Sequence, residues 1–465
     1  MAPSRHSAVR QQRARRRYRR HVAPREAPPA APEPLRPEDL AMLRMESGTV
    51  AGHTLKVAIL DPPRGERRPD VERLRARIAA RLERSPRLRR RLQMRSKRRA
   101  VWVDDPTFDV REHVRRVAVS GPVSEDDLRR FCVRMMEERL DRSRPLWTMD
   151  LLDPLEAGGV ALVWRLHHSM ADGAIAMRLA DEVLWDAPNG AAHAKEDADH
   201  VGPLADLGEA LSARRPGRLP GALRRELHRT RGPAPLSGVV GARRAVAFAS
   251  IPLGALRRTA KTLVPGATVN DVVLALVAGG LRIWAETRGD PLASLQVKIP
   301  VSLHHRAESP EVANRDSFFC VALPLAEPDP VERLRRIKEE TALRKRAGDA
   351  LVLDTLLRDV ARLAPPLRHL LDRLTVHPRA FALNISNVVG PAERPSVLGA
   401  PVHALHSIAD IDQRHGLRVA VISMADELHV GLCAEPAIVG DLDPLLDGML
   451  TEAASLAHRS GAGAS

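Results

Sequence analysis

Two adjacent histidines, His167 and His168, end an apolar run and are followed at fixed distance by Asp172 and Gly173, in ALVWRLHHSMADGAIAMRLADEVLW. With an unperturbed pKa of about 6.5, a histidine is mostly neutral at cellular pH and keeps a ring nitrogen free to accept a proton. An alcohol hydroxyl is a fitting donor. Neither Ser169 nor any cysteine has the companion signature of a nucleophile elbow, so direct attack of a hydroxyl on an acyl donor suits the pattern better than a covalent acyl-enzyme. His168 is assigned as general base and His167 as its supporting neighbour.

Side-chain alternation in an extended segment puts His168 on the face of Leu162, Trp164 and Leu166, and His167 with Val163 and Arg165, so one histidine faces an apolar interior at a strand end. Asp172 has two readings, as the cap of the following helix or as a carboxylate paired with an Arg that fixes the turn, and orients the motif in both. Gly173 makes the turn. Paired histidines also occur as packed core or metal ligands. The Asp-Gly, the apolar strand before it and the amphipathic helix after it weigh towards a site, and no metal is expected, because adjacent residues on a strand diverge and no third ligand is near. His304 and His305, in polar SLHHRAESP without an Asp-Gly, read as a loop.

Several elements must position the motif. PEDLAMLRMES has helical spacing, HTLKVAILDPP alternates like a strand, VERLRARIAARLERSPRLRRRL reads as a helix of two segments broken near Pro86, and EDDLRRFCVRMMEERLD as a helix capped by Ser124. In the second half AVAFASIPL, QVKIPVSL, SFFCVALPL, AFALNISNVV, APVHALHSIADI and RVAVISMADELHVGLCAE are strands. GALRRTAKTL, TVNDVVLALVAGGLRIWAETRG, the stretch from Pro330 to Gly348, further segments to about Leu374 and LDPLLDGMLTEAASLAH are helices. Thr268 or Asn270 marks the start of the long one. This alternation points to an α/β sandwich. The expected divisions are a basic Arg/Pro-rich arm over 1–35, an N-terminal domain over 36–186 with the histidine motif, a crossover linker with short helices over 187–240, a C-terminal domain over 241–460 and a tail over 461–465.

The chain has 465 residues, 44% hydrophobic and 28% charged, which excludes wholesale disorder and a small stapled scaffold. Its 73 Lys+Arg against 58 Asp+Glu leave +15, so an anionic partner is expected. Aromatic residues are only 3%, which argues against base-stacking platforms and hence against specific nucleic-acid binding. Cys132, Cys320 and Cys433 are far apart and read as buried thiols of a reducing compartment. The arm lacks the roughly 7 to 15 apolar residues of a secretory signal, and the longest apolar run is too short to cross a bilayer. The expected location is therefore cytoplasmic, with peripheral contact to the inner face of a membrane or to lipid inclusions, where basic residues adhere to anionic lipid.

With HHSMADG stand the blocks LRRRL, VWVDDPTFDVREHV, LDRSRPLWTMDLL, ATVNDVVLALVAGGLR, KIPVSL and NISNVVGP. Together they resemble the wax ester synthase/diacylglycerol acyltransferase family, within the CoA-dependent, chloramphenicol acetyltransferase-like superfamily, over about Pro34 to His458. The family's PLW is Pro145, Leu146 and Trp147, and its ND pair is Asn270 and Asp271. Its usual NVPGP is NVVGP here, from Asn387 to Pro391. The resemblance implies two similar α/β domains with a mixed sheet each, and His168 in a channel at their interface. It implies acyl-CoA as a substrate rather than a tightly bound cofactor, and diacylglycerol or a long-chain alcohol as acceptor. Asn270 and Asp271 take a supporting role; at a helix start Asn270 is a cap on the plain reading and an oxyanion donor on the sharper one. The alternatives are a condensation-like acyltransferase on another hydroxyl or amine, a catalytically silent lipid-inclusion protein, and a nucleic-acid binder acting through the arm.

Overall fold

The computed structural model describes residues 31–62, 68–96, 99–187, 235–302, 316–347 and 380–459. In chain order the first part carries β1 (Glu33–Pro34), α1 (Pro37–Met45), β2 (His53–Leu60), α2 (Val71–Arg81), β3 (Arg90–Ser96), β4 (Arg99–Asp104), α3 (Val110–His113), β5 (Val114–Arg116), α4 (Glu125–Glu137), β6 (Trp147–Leu152), β7 (Val160–His167) and α5 (Gly173–Val183). The second part carries β8 (Ala245–Pro252), α6 (Leu253–Leu263), α7 (Val269–Thr287), β9 (Leu295–Ser302), β10 (Asp316–Leu323), α8 (Pro330–Ala347), β11 (Leu383–Val389), β12 (Ser396–Val397), β13 (Ala400–Ala409), β14 (Leu417–Met424), β15 (Glu427–Ala434), α9 (Pro436–Val439) and α10 (Asp443–Arg459). The crossover helices, His304 and His305, the segments near Leu374 and the tail after 460 lie outside the described residues.

The strands build two six-stranded mixed sheets, in the orders β12-β13-β2-β7-β6-β5 and β10-β9-β11-β14-β15-β8. The two halves of the chain do not build one sheet each. β13 pairs antiparallel with β2, from Val402 opposite Leu60 to Ala409 opposite Thr54, so the second half of the chain extends the first sheet. Hydrophobic patterning marks β13 as a strand but carries no information about its partner. The arm's boundary also moves. Glu33 and Pro34 pair with Trp102 and Val101 of β4, and the Glu33 carboxylate meets Arg90 at 2.7 Å. Proline is tolerated there because an edge strand can spare an N–H. The segment after Pro86 is a 3₁₀ turn followed by β3 rather than helix, since Leu92 is buried while its neighbours alternate outward against β4.

Two helices start where side chains satisfy the first orphaned N–H groups. Ser124 and Asp127 form a reciprocal capping box on α4, and Thr268 and Asp271 do the same on α7. In the first sheet, Leu162, Trp164 and Leu166 pack with Ile175, Leu179 and Val183 of α5 on one face, while Ala161 and Val163 pack on the other with Leu128, Cys132 and Met135 of α4. In the second sheet, Val297, Ile385, Val419 and Leu432 bury against α7 and α10. α7 and α10 meet at Gly280 and Gly448, where a Cβ on Gly448 would lie 2.8 Å from the Gly280 Cα. The two sheets touch through β13 and β15: at Gly431 no Cβ fits beside the Ser407 carbonyl. β7 is thereby central in its sheet, buried along its whole length, and ends at the histidine pair.

Candidate active site

β7 stops at His167, whose backbone N–H donates to the Leu146 carbonyl (3.0 Å) and which sits opposite His53 in register. The imidazole is buried, and its tautomer follows from its neighbours. Nδ1 accepts from the Ser169 backbone N–H (3.0 Å) and lies 2.7 Å from the Ser169 hydroxyl, so the proton is on Nε2. Nε2 in turn lies 2.7 Å from Glu46 Oε1. Nδ1 of His167 is thus taken by Ser169, and Nε2 faces the Glu46 carboxylate in a close charge contact. Burial pushes the Glu46 carboxyl up, but the His167 hydrogen bond and Arg142, 2.7 Å away, outweigh it and hold it below the usual carboxylate range. Glu46 ends α1, and the turn that follows closes on Gly52 at φ +70°. A Cβ there would sit 3.0 Å from Glu46 Cγ and 3.2 Å from His167 Nε2, so the close approach requires glycine.

The Glu46–Gly52 turn is fixed from the other half of the chain. The N–H groups of Ala51 and Gly52 both donate to Asp410 Oδ2, at 2.9 and 3.0 Å. Asp410 Oδ1 accepts from Arg244 Nε (2.9 Å), and a terminal Arg244 nitrogen donates to the Thr49 carbonyl (2.6 Å). Both side chains of this ion pair are buried. Sequence reasoning missed Glu46, Gly52, Arg244 and Asp410. Each is an ordinary residue type whose partner lies more than a hundred positions away, and no local pattern records such a pairing.

His168 lies in the turn after β7, not in the strand, so its alternation with Leu166 does not hold. β7 is buried on both faces, and the deeper of the two rings is His167. The His168 N–H donates to the Gly52 carbonyl (3.0 Å). Its Nε2 is shielded from water and has no hydrogen-bond partner. Burial, then the charges of Arg418 and Lys56, drive its pKa well below the ordinary histidine value. His168 is therefore a neutral imidazole whose Nε2 is unpartnered, beside a neighbour whose Nδ1 is taken by Ser169.

Asp172 caps α5, its Oδ1 accepting from the Ile175 N–H (2.7 Å), and its negative charge favours the buried Lys56 ammonium, whose pKa burial nonetheless lowers to about 8. Gly173 serves packing: a Cβ would lie 2.5 Å from Val388 Cγ2 of β11, so the motif's glycine is where the second sheet meets the first. Leu146 and Trp147 are buried scaffold, with Trp147 Nε1 donating to the Leu88 carbonyl (2.8 Å) and its ring stacked on His113. Pro145 precedes them in the same loop, and its carbonyl accepts from the Trp147 N–H. The cap of α7 is Thr268 rather than Asn270, which lies buried inside the first turn. Asp271 completes the capping box and accepts from the Thr341 hydroxyl (2.6 Å).

A cavity of about 290 Å³ abuts the motif on the Glu46 side, lined by Glu46, Arg139, Leu140, Arg142, Leu146 and His167. The three cysteines are free and buried, and burial pushes Cys132 and Cys433 up to about 12, which leaves both as unreactive thiols. Among the described residues no group of three or more His, Cys, Asp or Glu side chains could hold a metal ion.

Where β13 packs on β15, His406 and His429 are buried edge to face, with ring centroids 5.4 Å apart. Burial lowers their pKa values to about 3 and about 4. Folding thus keeps them neutral while the unfolded chain protonates below about pH 6.5. Their stability contribution is complete above that pH and falls as pH drops towards 4, by about 2 kcal/mol each at pH 5. Urea midpoints at pH 7 and pH 5 should differ accordingly; equal midpoints would contradict the buried neutral pair.

Comparison with known proteins adds an independent line. Residues 35–273 match the profile of the wax ester synthase/diacylglycerol acyltransferase catalytic domain, and residues 312–456 that of the WS/DGAT C-terminal domain. A Mycobacterium tuberculosis relative named as a diacylglycerol O-acyltransferase, tgs1, is 29% identical over 406 residues, covering 82% of this chain and 87% of the relative. Another protein of that organism with the same named activity is 27% identical over 451 residues, covering 91% and 95%. Among solved structures, the wax ester synthase/diacylglycerol acyltransferase from Marinobacter aquaeolei VT8 superposes with a TM-score of 0.67 at 25% identity, over 92% of this chain and 100% of that one. The first condensation domain of the calcium-dependent antibiotic synthetase shares the fold, with a TM-score of 0.59 at 17% identity over 94% and 98%.

Proposed function

Because the chain belongs to the wax ester synthase/diacylglycerol acyltransferase family, we propose that it transfers a fatty acyl group from acyl-CoA to the hydroxyl of diacylglycerol or a long-chain alcohol, with His168 as general base. The observation that carries the base assignment is the water-shielded Nε2 of His168, which has no hydrogen-bond partner, beside a His167 whose Nδ1 is taken by Ser169 and whose Nε2 faces Glu46. The acceptor hydroxyl donates its proton to that nitrogen while its oxygen attacks the thioester carbonyl. The tetrahedral intermediate collapses, the carbon–sulfur bond breaks, and CoA leaves as thiolate and takes the proton from the imidazolium. Burial keeps the imidazole neutral and so able to accept a proton.

Glu46 is a positioning residue that holds His167, which in turn supports the turn bearing His168. Acyl-CoA enters as substrate and free CoA leaves as product, and no resident cofactor is needed. No helix among the described residues is long and apolar enough to cross a membrane. The chain's net charge of +15 favours a peripheral meeting with anionic lipid surfaces, where the apolar acceptor resides. Purified protein given palmitoyl-CoA with hexadecanol or dioleoylglycerol should form wax ester or triacylglycerol, one CoA released per ester. Failure to form either product would refute this reading.

A further inference from the structure

The inner face of the second sheet carries a polar row that the base mechanism does not use. Lys298 of β9, Asn384 of β11 and Arg418 of β14 are direct neighbours in register, with Lys298 opposite Asn384 and Asn384 opposite Arg418. Their flanking residues Val297, Ile299, Leu383, Ile385, Val419 and Val421 bury on the other face. The row therefore shares its face with Val388 and Ile422, both packed into the core of the first sheet, and Val388 is the residue that abuts Gly173 of the histidine motif. Asn384 lies four positions before Val388, about 13 Å along the strand. That is the length scale of the arm separating a CoA thioester from its phosphates.

The row sets a cation beside an unpaired acceptor, and Arg418 at its end also donates to the Asp410 carbonyl (3.2 Å). The Lys298 ammonium lies 4.1 Å from the centroid of Phe318 and 5.2 Å from that of Phe381, so two ring faces fix it. Burial lowers its pKa and the charge of Arg418 adds to this, while Cys320 and Asp412 oppose; an anion beside it would relieve the cost. Asn384 Oδ1 is buried without a hydrogen-bond partner and therefore calls for a donor. A phosphopantetheine arm supplies both, through its amide N–H groups and its phosphate.

We propose that Lys298, Asn384 and Arg418 form the subsite for the phosphopantetheine arm of CoA, Lys298 taking a phosphate oxygen and Asn384 an amide N–H. This rests on acyl-CoA being the donor. The KM for palmitoyl-CoA should rise about tenfold in Lys298→Met, the loss of one charge-assisted hydrogen bond, with kcat little changed. The KM for S-palmitoyl-pantetheine, which has no phosphate, should not move, and Lys298→Arg should retain most of the affinity. Equal effects on both thioesters, or on neither, would overturn the proposal. A rise that follows a phosphate on the acceptor, with lysophosphatidate compared against monoacylglycerol, would also overturn it and assign the row to the acceptor. Calorimetric binding of CoA itself, without turnover, separates this test from that of acyl transfer: wild-type protein should bind CoA about tenfold more tightly than Lys298→Met, and equal affinities would overturn the assignment.

Discussion

His168→Ala should lower kcat/KM for acyl transfer by about 10² to 10⁴-fold, the range a positioned general base contributes, and leave the folded state intact. The ring of His168 makes no hydrogen bond through Nε2, and the contact that fixes its backbone, from its N–H to the Gly52 carbonyl, survives truncation. Removing a neutral, half-buried imidazole therefore costs little structure. Far-UV circular dichroism and the urea midpoint should match the wild type while the rate collapses. A variant of unchanged rate would remove His168 from the chemistry.

Asp410→Ala is expected to have the largest effect on stability, about 3 to 5 kcal/mol, because it breaks a buried ion pair from one side. The Arg244 guanidinium would keep only the more distant Glu435 carboxylate, at 3.9 Å, as a buried counter-charge, and the N–H groups of Ala51 and Gly52 would lose their shared acceptor. The same change frees the turn carrying Glu46 and the Gly52 carbonyl, so activity should fall before the protein unfolds. Asp410→Asn, which keeps an acceptor and the shape, should cost less. Matching urea midpoints for the wild type and Asp410→Ala would show that the pair does not anchor this turn.

The motif's local geometry was readable in the sequence because it lies within one turn. His168, Asp172 and Gly173 lie within one strand-to-helix turn, and the cap formed by Asp172 on Ile175 follows from residue type and spacing alone. Elements with clear periodicity, such as β2, α4 and α7, were equally legible. Long-range partners were not. The pairing of β13 with β2, the grip of Asp410 on residues 51 and 52, and the Glu46–His167 contact join positions from about 100 to 360 apart, and a periodic pattern specifies which face is buried without specifying against what. The same limit left the cap of α7 open between Thr268 and Asn270, since both are good capping residues and only backbone geometry selects Thr268. Alternation failed at His168 because β7 ends one residue earlier than an extended reading assumes.

The most direct test is acceptor-dependent release of CoA thiol from palmitoyl-CoA, followed side by side in wild-type protein and His168→Ala with hexadecanol and with dioleoylglycerol. Thiol release by the wild type that requires an acceptor, matches ester formed and is nearly abolished in the folded variant is the expected result. Release that proceeds at the same rate in the variant, or that needs no acceptor, would contradict a base-assisted transfer through His168.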